Sequence, residues 1–305
     1  MRIAVMGAGS IGGYFGGMLA RAGNDVTLIA RGANLQAIND RGLMIVTDDQ
    51  EFTVHCHATG DPGQLGPVDL VLLTVKTYHN PEAVPTLKPM VGAQTSVLCL
   101  QNGIDSYRLA AHGLADENVI PGAAYIEASL EGPGQVRQTG AVVQIVLGEA
   151  GGSPSQRCGR IVETLVEAGI PAQVSDDIKK TLWTKFLFIA TMAGVTSLSR
   201  QTMAELMPRP EWLQVITACM REIETVGRAS GVNLESRIVE DTLDYIQGSL
   251  EQMHASMHAD IMAGRPLELE ALNGAVIRAG RAAAVPTPIN DIIYAMLKPY
   301  TLGSG

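Results

Sequence analysis

The sequence is poor in the residues and patterns that mark several large protein classes. It has four cysteines, Cys56, Cys99, Cys158 and Cys219, and no CxxC pair. Each sits in or beside apolar sequence, so they read as buried small hydrophobes in a reducing, cytoplasmic setting rather than as a disulfide or zinc framework. Basic charge is in deficit: 22 Lys and Arg stand against 31 Asp and Glu, a formal net charge of −9. An acidic chain lacks the electrostatic footprint for a phosphate backbone, which argues against nucleic acid as a partner. No unbroken apolar run approaches 18 residues, so no membrane span is expected. Internal repeats and low-complexity linkers are absent, as is HExxH. His254 and His258 have the i, i+4 spacing of a zinc pair but no evident third ligand, so no metal is expected.

What is present is a globular balance, with 46% hydrophobic and 17% charged residues over 305 positions. That length accommodates two domains. Residues 3–20 carry no charge and follow Arg2, a pattern shared with signal peptides, but six glycines (7, 9, 12, 13, 16 and 17) break any compact apolar helix there.

The first half alternates short β-branched runs with helical patterns, which predicts βαβ units around a parallel sheet. Arg2–Met6 reads as a strand, Ile11–Ala22 as a helix and Asp25–Ala30 as a second strand. Residues 43–57 read as a hairpin region. Val68–Val75, Thr95–Leu100 and Asn118–Tyr125 read as strands covered on both faces, and Gln135–Leu147, with Gly140 at its middle, as a further hairpin. Near Asp176 strand signals stop. Amphipathic helices follow over Ile178–Met192, Pro210–Ala229, Leu234–Ala263 and Pro266–Ala283. The expected architecture is an α/β Rossmann domain with a doubly wound sheet over residues 1–175, then an all-helical substrate and catalytic domain over 176–305.

Gly7-Ala8-Gly9-Ser10-Ile11-Gly12 is a GxGxxG between a strand and a helix. Gly7 allows the tight turn, Gly9 lets backbone approach a pyrophosphate, and Gly12 lets helix pack on strand; the helix start offers N–H groups and positive dipole to the anion. NAD sites place Asp or Glu at the tip of the second strand. This chain has Leu28-Ile29-Ala30-Arg31-Gly32, with no competing carboxylate, and Arg31 suits a 2′-phosphate. The cofactor expected is therefore NADP. Lys76 and Gln101-Asn102-Gly103 end two further strands, where ligands of doubly wound sheets bind; ordinary turn chemistry accounts for them equally well.

In the helical half, Lys185 stands among Leu182, Phe186, Phe188 and Ile189. It either snorkels to water or is a partly desolvated ammonium with a lowered pKa, ready to donate a proton. Glu268 falls in the first turn of the helix expected from Pro266, where a carboxylate complements the dipole, and Glu270 is equally eligible.

Taken in order, Gly7–Gly12, Val75-Lys76, Gln101-Asn102-Gly103, Trp183-Thr184-Lys185, Ser256-Met257, Gly264-Arg265-Pro266-Leu267-Glu268 and Asn273-Gly274 resemble the ketopantoate reductases (2-dehydropantoate 2-reductases) over essentially the whole chain. The resemblance implies NADPH-dependent reduction of a 2-oxo acid, most directly ketopantoate to pantoate. It implies that Arg31 and Lys76 contact cofactor phosphates, and that Asn102 and Ala128 line the nicotinamide-ribose region. Lys185 matches the family's catalytic lysine. Glu268 matches a glutamate near cofactor ribose and substrate, and Ser256 a contact to the substrate carboxylate. The chain also departs from the pattern. Ile189 and Ala193 stand where the family has substrate-facing asparagines, Met203 aligns roughly with a further one, and Leu267 replaces a threonine. A relative acting on a more apolar 2-oxo acid or carbonyl is thus an alternative. A non-catalytic NADP-binding regulator is a third reading, disfavoured by Lys185, Ser256 and Glu268. The apolar C-terminal helices would suit a homodimer.

Overall fold

The computed structural model describes residues 1–249 and 255–303. The chain divides into two compact units, one of residues 1–101 and 106–178, the other of 102–105 and 179–305.

The first unit opens β1 (Arg2–Met6), α1 (Ser10–Arg21), β2 (Asp25–Ile29), α2 (Gly32–Arg41), β3 (Leu43–Val46), β4 (Glu51–Val54), β5 (His57–Thr59) and β6 (Leu70–Leu73). It continues α3 (Asn80–Thr86), β7 (Ser96–Cys99), α4 (Ser106–Gly113), β8 (Val119–Gly132), β9 (Gln135–Leu147), α5 (Gln156–Glu167) and β10 (Ala172–Val174). All ten strands join one sheet in the order β4-β3-β9-β8-β7-β6-β1-β2-β5, with β10 beside β9. From β5 to β8 neighbouring strands are parallel. Every residue of β6 and β7 is buried, as the unbroken apolar runs predict for strands covered on both faces. β2 lies on one side of β1 and β6 on the other, so the winding direction reverses at β1, and the crevice beyond its carboxyl end is where such sheets bind ligands.

The glycines of α1 are a packing device. An added Cβ at Gly16 would lie 2.7 Å from Leu28, and one at Gly17 2.4 Å from Ile45, so the helix sinks onto the sheet. One strand reading is corrected. Gln135–Leu147 is a single strand, antiparallel to the long β8, and the chain reverses between Gly132 and Gln135 rather than at Gly140. Gly140 has φ +77° and lies beside a register shift, so it marks an irregularity in the strand.

The second unit holds α6 (Ile178–Ser199), α7 (Met203–Leu206), α8 (Pro210–Ala229), α9 (Ile238–Gly248), α10 (Ser256–Met262), α11 (Asn273–Ala282) and α12 (Pro288–Leu297). Its core gathers Trp183, Phe186, Leu187, Ile216, Met220, Ile223, Val276 and Ile293. α6 is the one described helix long and apolar enough to cross a membrane by length and composition; 67% of that stretch is buried inside the protein, the behaviour of a core helix. Of the helix expected from Leu234 to Ala263, the described residues show α9 from Ile238 and α10 up to Met262, with Ser249 and Ala255 not helical; residues 250–254 of that reading lie outside the described residues. Residues 265–272 are not helical, so the helix expected from Pro266 begins only at Asn273. There Leu267, Glu268 and Leu269 are all buried, and the Leu267 N–H donates to Thr301 O at 3.1 Å instead of to a preceding turn. A capping interaction reaches across the unit. The Glu222 carboxylate on α8 accepts from the Ile289 and Asn290 N–H groups in the first turn of α12, at 2.7 and 3.0 Å.

Candidate active site

In the first unit the GxGxxG loop sits at the carboxyl end of β1, on the winding reversal. Its three glycines have three different reasons. Gly7 has φ +104°, and a Cβ there would meet Val75 at 2.7 Å. At Gly12 a Cβ would meet Gly7 O at 2.1 Å and Thr74 Oγ1 at 2.4 Å. At Gly9 it would meet nothing within 4 Å. The protein itself thus demands glycine at 7 and 12, whereas the space at Gly9 is open to a ligand. α1 starts there without a side-chain cap and without an acidic residue in its first turn, so neither competes with an anion at Ser10 and Ile11. These residues fit a dinucleotide pyrophosphate.

Two supports of the loop carry no motif. Thr74 Oγ1 donates to Met6 O and Gly7 O, at 3.1 and 2.9 Å. Asn34, on α2, donates to Ala8 O at 2.7 Å and accepts from Gly134 N at 2.7 Å. Thr74 lies in the Val68–Val75 run that ends at Lys76, so its place at a strand end was a usable signal; Asn34 had none, because its partner Gly134 is 100 residues away.

Arg31 lies just beyond β2 as the N-cap of α2. Its side chain is 71% exposed and 3.7 Å from Glu82 Oε2, itself 71% exposed. The absence of a carboxylate around Arg31 therefore holds only along its own strand: α3 supplies one. A pair this exposed is weak and exchangeable for a phosphate. Lys76 is half-buried after β6, and Ala128 lies on β8 opposite Gln138. Gln101 fastens the strand ends, its amide donating to Val75 O at 2.7 Å and to Asn80 Oδ1 at 2.6 Å.

In the second unit Lys185, Asn102 and Glu268 converge. Lys185 is half-buried on α6, whose Trp183 and Phe186 pack edge to face with ring centroids 5.8 Å apart and anchor the helix in the core. Its Nζ donates to Asn102 Oδ1 at 3.1 Å. Burial pushes the ammonium's pKa down from 10.5 to about 8, with the Glu268 charge acting in the opposite direction. Of the two first-turn carboxylates weighed in the sequence, only Glu268 acts on the lysine. It is 5% exposed and lies in the non-helical segment ahead of α11, which removes the reading of a first-turn carboxylate in a helix starting at Pro266. Glu270 turns to Tyr294, Lys298 and Arg278 instead.

The other candidates differ in burial. Ile189, one turn after Lys185, is half-buried against the helical core, while Ala193, Met203 and Leu267 are within it. Ser256 is exposed as the first residue of α10. His258 is on α10 and His254 lies outside the described residues; among the described residues no three His, Cys, Asp or Glu side chains gather as a metal site.

The family model described as ketopantoate reductase PanE/ApbA matches residues 3–152, and that of the ketopantoate reductase PanE/ApbA C terminal matches residues 177–301. A 2-dehydropantoate 2-reductase of Mesorhizobium japonicum is 29% identical, covering 100% of this chain and 99% of that protein. The crystal structure of 2-dehydropantoate 2-reductase from Geobacter metallireducens superposes with a TM-score of 0.93 at 28% identity, covering 99% of this chain and 100% of that one. A ternary structure of D-mandelate dehydrogenase with NADH and anilino(oxo)acetate superposes with a TM-score of 0.90 at 26% identity, covering 99% of this chain and 98% of that one.

Proposed function

The chain belongs to the ketopantoate reductase family of oxidoreductases, and from that premise we propose that it reduces a 2-oxo acid to a 2-hydroxy acid with NADPH, with ketopantoate as the first candidate substrate. The observation that carries the reading is the Lys185 ammonium, brought by burial to a pKa of about 8 and bonded to Asn102.

When bound, NADPH supplies the hydride; the chain's own residues do the rest. The Gly7–Gly12 loop and the start of α1 hold the pyrophosphate, and Arg31 and Lys76 hold phosphate charge. As the carbonyl carbon is reduced, negative charge builds on its oxygen. Lys185 Nζ stabilises that charge and gives it a proton, and a donor pKa near the working pH makes the transfer efficient. Asn102 Oδ1 orients the ammonium, and the buried Glu268 carboxylate favours its charged form. Ser256, exposed at the start of α10, would bind the substrate carboxylate.

A second reading keeps this chemistry and changes the side chain of the substrate. Ile189 offers an apolar surface one turn from Lys185, where a polar substrate would need a hydrogen-bond partner. D-Mandelate, named for one structural relative, is an aromatic 2-hydroxy acid, and that relative holds NADH. Consumption of NADPH and of NADH should be followed with ketopantoate and with a panel of aliphatic and aromatic 2-oxo acids. Efficient ketopantoate turnover supports the first reading, and a clear preference for an aromatic acid supports the second. Absence of turnover on the whole panel, with tight NADPH binding, would refute both.

A further inference from the structure

Among the neighbours of Lys185 are Asn102, from before α6 in the sequence, and Glu268, from well after it. Asn102 is in a turn whose next residue, Gly103, has φ +107°, and Glu268 is in the non-helical segment before α11. Neither segment is held by regular secondary structure. Both nevertheless end at the same side chain. Arg278, on α11, donates from Nη2 to Asp105 Oδ2 at 3.0 Å, three residues after Asn102. From Nη1 it reaches Glu270 Oε2 at 3.4 Å, two residues after Glu268.

We propose that Arg278 is a positioning residue: one guanidinium ties the Asn102 turn to the Glu268 segment, and so sets the geometry around Lys185. The planar fork of arginine suits two carboxylates in two directions, which a lysine point charge does not. Exposed ion pairs are ordinarily weak. This one has a further constraint, because Asp105 Oδ1 is buried without a hydrogen-bond partner among the described residues. Without Arg278 that carboxylate loses its bonded cation while half of it stays out of water, and the turn must move to hydrate it. On the other side Glu270 also accepts from Tyr294 Oη at 2.6 Å and from Lys298, so it is a fixed anchor for the guanidinium. Asp105 is separated from Asn102 by only Gly103 and Ile104, and Ile104 packs on the helical core, so the placement of Asp105 bears on that of Asn102.

The proposal rests on Lys185 being the proton donor, and the test separates the two. Full-length Arg278→Ala, Arg278→Lys, Asp105→Asn, the Arg278→Ala/Asp105→Asn double variant and Lys185→Ala are assayed with the best 2-oxo acid of the panel. Melting curves confirm folding, and NADPH affinity is measured separately. Arg278→Ala should lower kcat by about 10- to 100-fold, the range for small misplacements of catalytic groups. NADPH affinity should stay within about twofold, lysine should restore part of the rate, and the double variant should be no slower than the worse single one. A merely structural arginine would lower the melting temperature and leave kcat per folded molecule unchanged. Near-parental kcat in folded Arg278→Ala, or fully additive losses in the double variant, overturns the proposal. Should Arg278→Ala not fold, Arg278→Lys and Asp105→Asn carry the same comparison. If Lys185→Ala keeps its turnover, the donor assignment fails, whatever Arg278 shows. If Lys185→Ala loses turnover and Arg278→Ala does not, only the positioning role fails.

Discussion

Replacing Lys185 by methionine should make the protein more stable and far less active. Burial lowers the ammonium's pKa from 10.5 to about 8, against the opposing charge of Glu268. The difference, 10.5 − 8 = 2.5, corresponds at about 1.4 kcal/mol for each pH unit to at most about 3.5 kcal/mol spent on keeping the group charged in the folded protein near pH 7. The sign follows from proton counting. The folded value lies below the unfolded one, so between about 8 and 10.5 the unfolded chain binds more protons and stability rises with pH; below about 8 the penalty is present in full. Methionine keeps a stem of similar length without the charge. Its melting temperature near pH 7 should therefore rise, by roughly 2–4 °C for each kcal/mol recovered, and the gain should vanish above about pH 10.5. The same substitution removes the proton donor and should lower kcat by about 10²–10⁴-fold. In the parent enzyme, kcat for reduction should fall as pH passes upward through about 8, as the ammonium deprotonates. Thermal melting at both pH values and a kcat–pH profile test the chain of reasoning. A methionine variant no more stable near pH 7 than the parent, or a parent kcat flat to about pH 10, would refute it.

The glycine loop makes a sharper distinction than a motif can. Gly9→Ala should fold with nearly parental melting, since its Cβ meets nothing, yet lose dinucleotide affinity by titration calorimetry; Gly12→Ala meets Gly7 O at 2.1 Å and should lose stability itself, by about 1–3 kcal/mol in denaturant unfolding. Equal melting of the two variants would contradict this. Arg31→Ala should weaken NADPH binding by roughly 10- to 100-fold, the loss of a hydrogen bond to a charged group, and leave NADH almost unchanged; equal loss for both cofactors would remove the 2′-phosphate from its role.

Local patterns were legible where one element decides the answer. Arg2–Met6 and Pro210–Ala229 are found with the boundaries read from the sequence, because a buried strand and an amphipathic helix each carry their own periodicity. Glu268 was visible as a candidate but misplaced on a helix. Pro266 suggested a helix start, whereas Leu267, Glu268 and Leu269 are all buried in a stretch of irregular backbone and turns tied to Thr301, which no single-helix pattern reveals. Gly140 suggested a turn, and the true reversal between Gly132 and Gln135 follows from the pairing of two long strands. The meeting of Lys185 with Asn102, 83 residues apart, is a tertiary fact, and so is that of Arg278 with Asp105 across 173 residues. Arg278 in particular looks like any exposed charge on a helix until both its partners are known.

The cap that Glu222 lends to α12 bears on how the helical unit comes apart. Helices usually fray from their ends, each on its own schedule. α12 has no such freedom at its start: unwinding its first turn would strand a carboxylate that also accepts from the Asn290 amide side chain at 2.8 Å. Asn290 in turn accepts from Asn273 at 3.0 Å, which adds α11 to the chain of dependence. These bonds tie α8, α11 and α12 together, and the amides of Ile289 and Asn290 should exchange with solvent more slowly than those at the start of an uncapped helix.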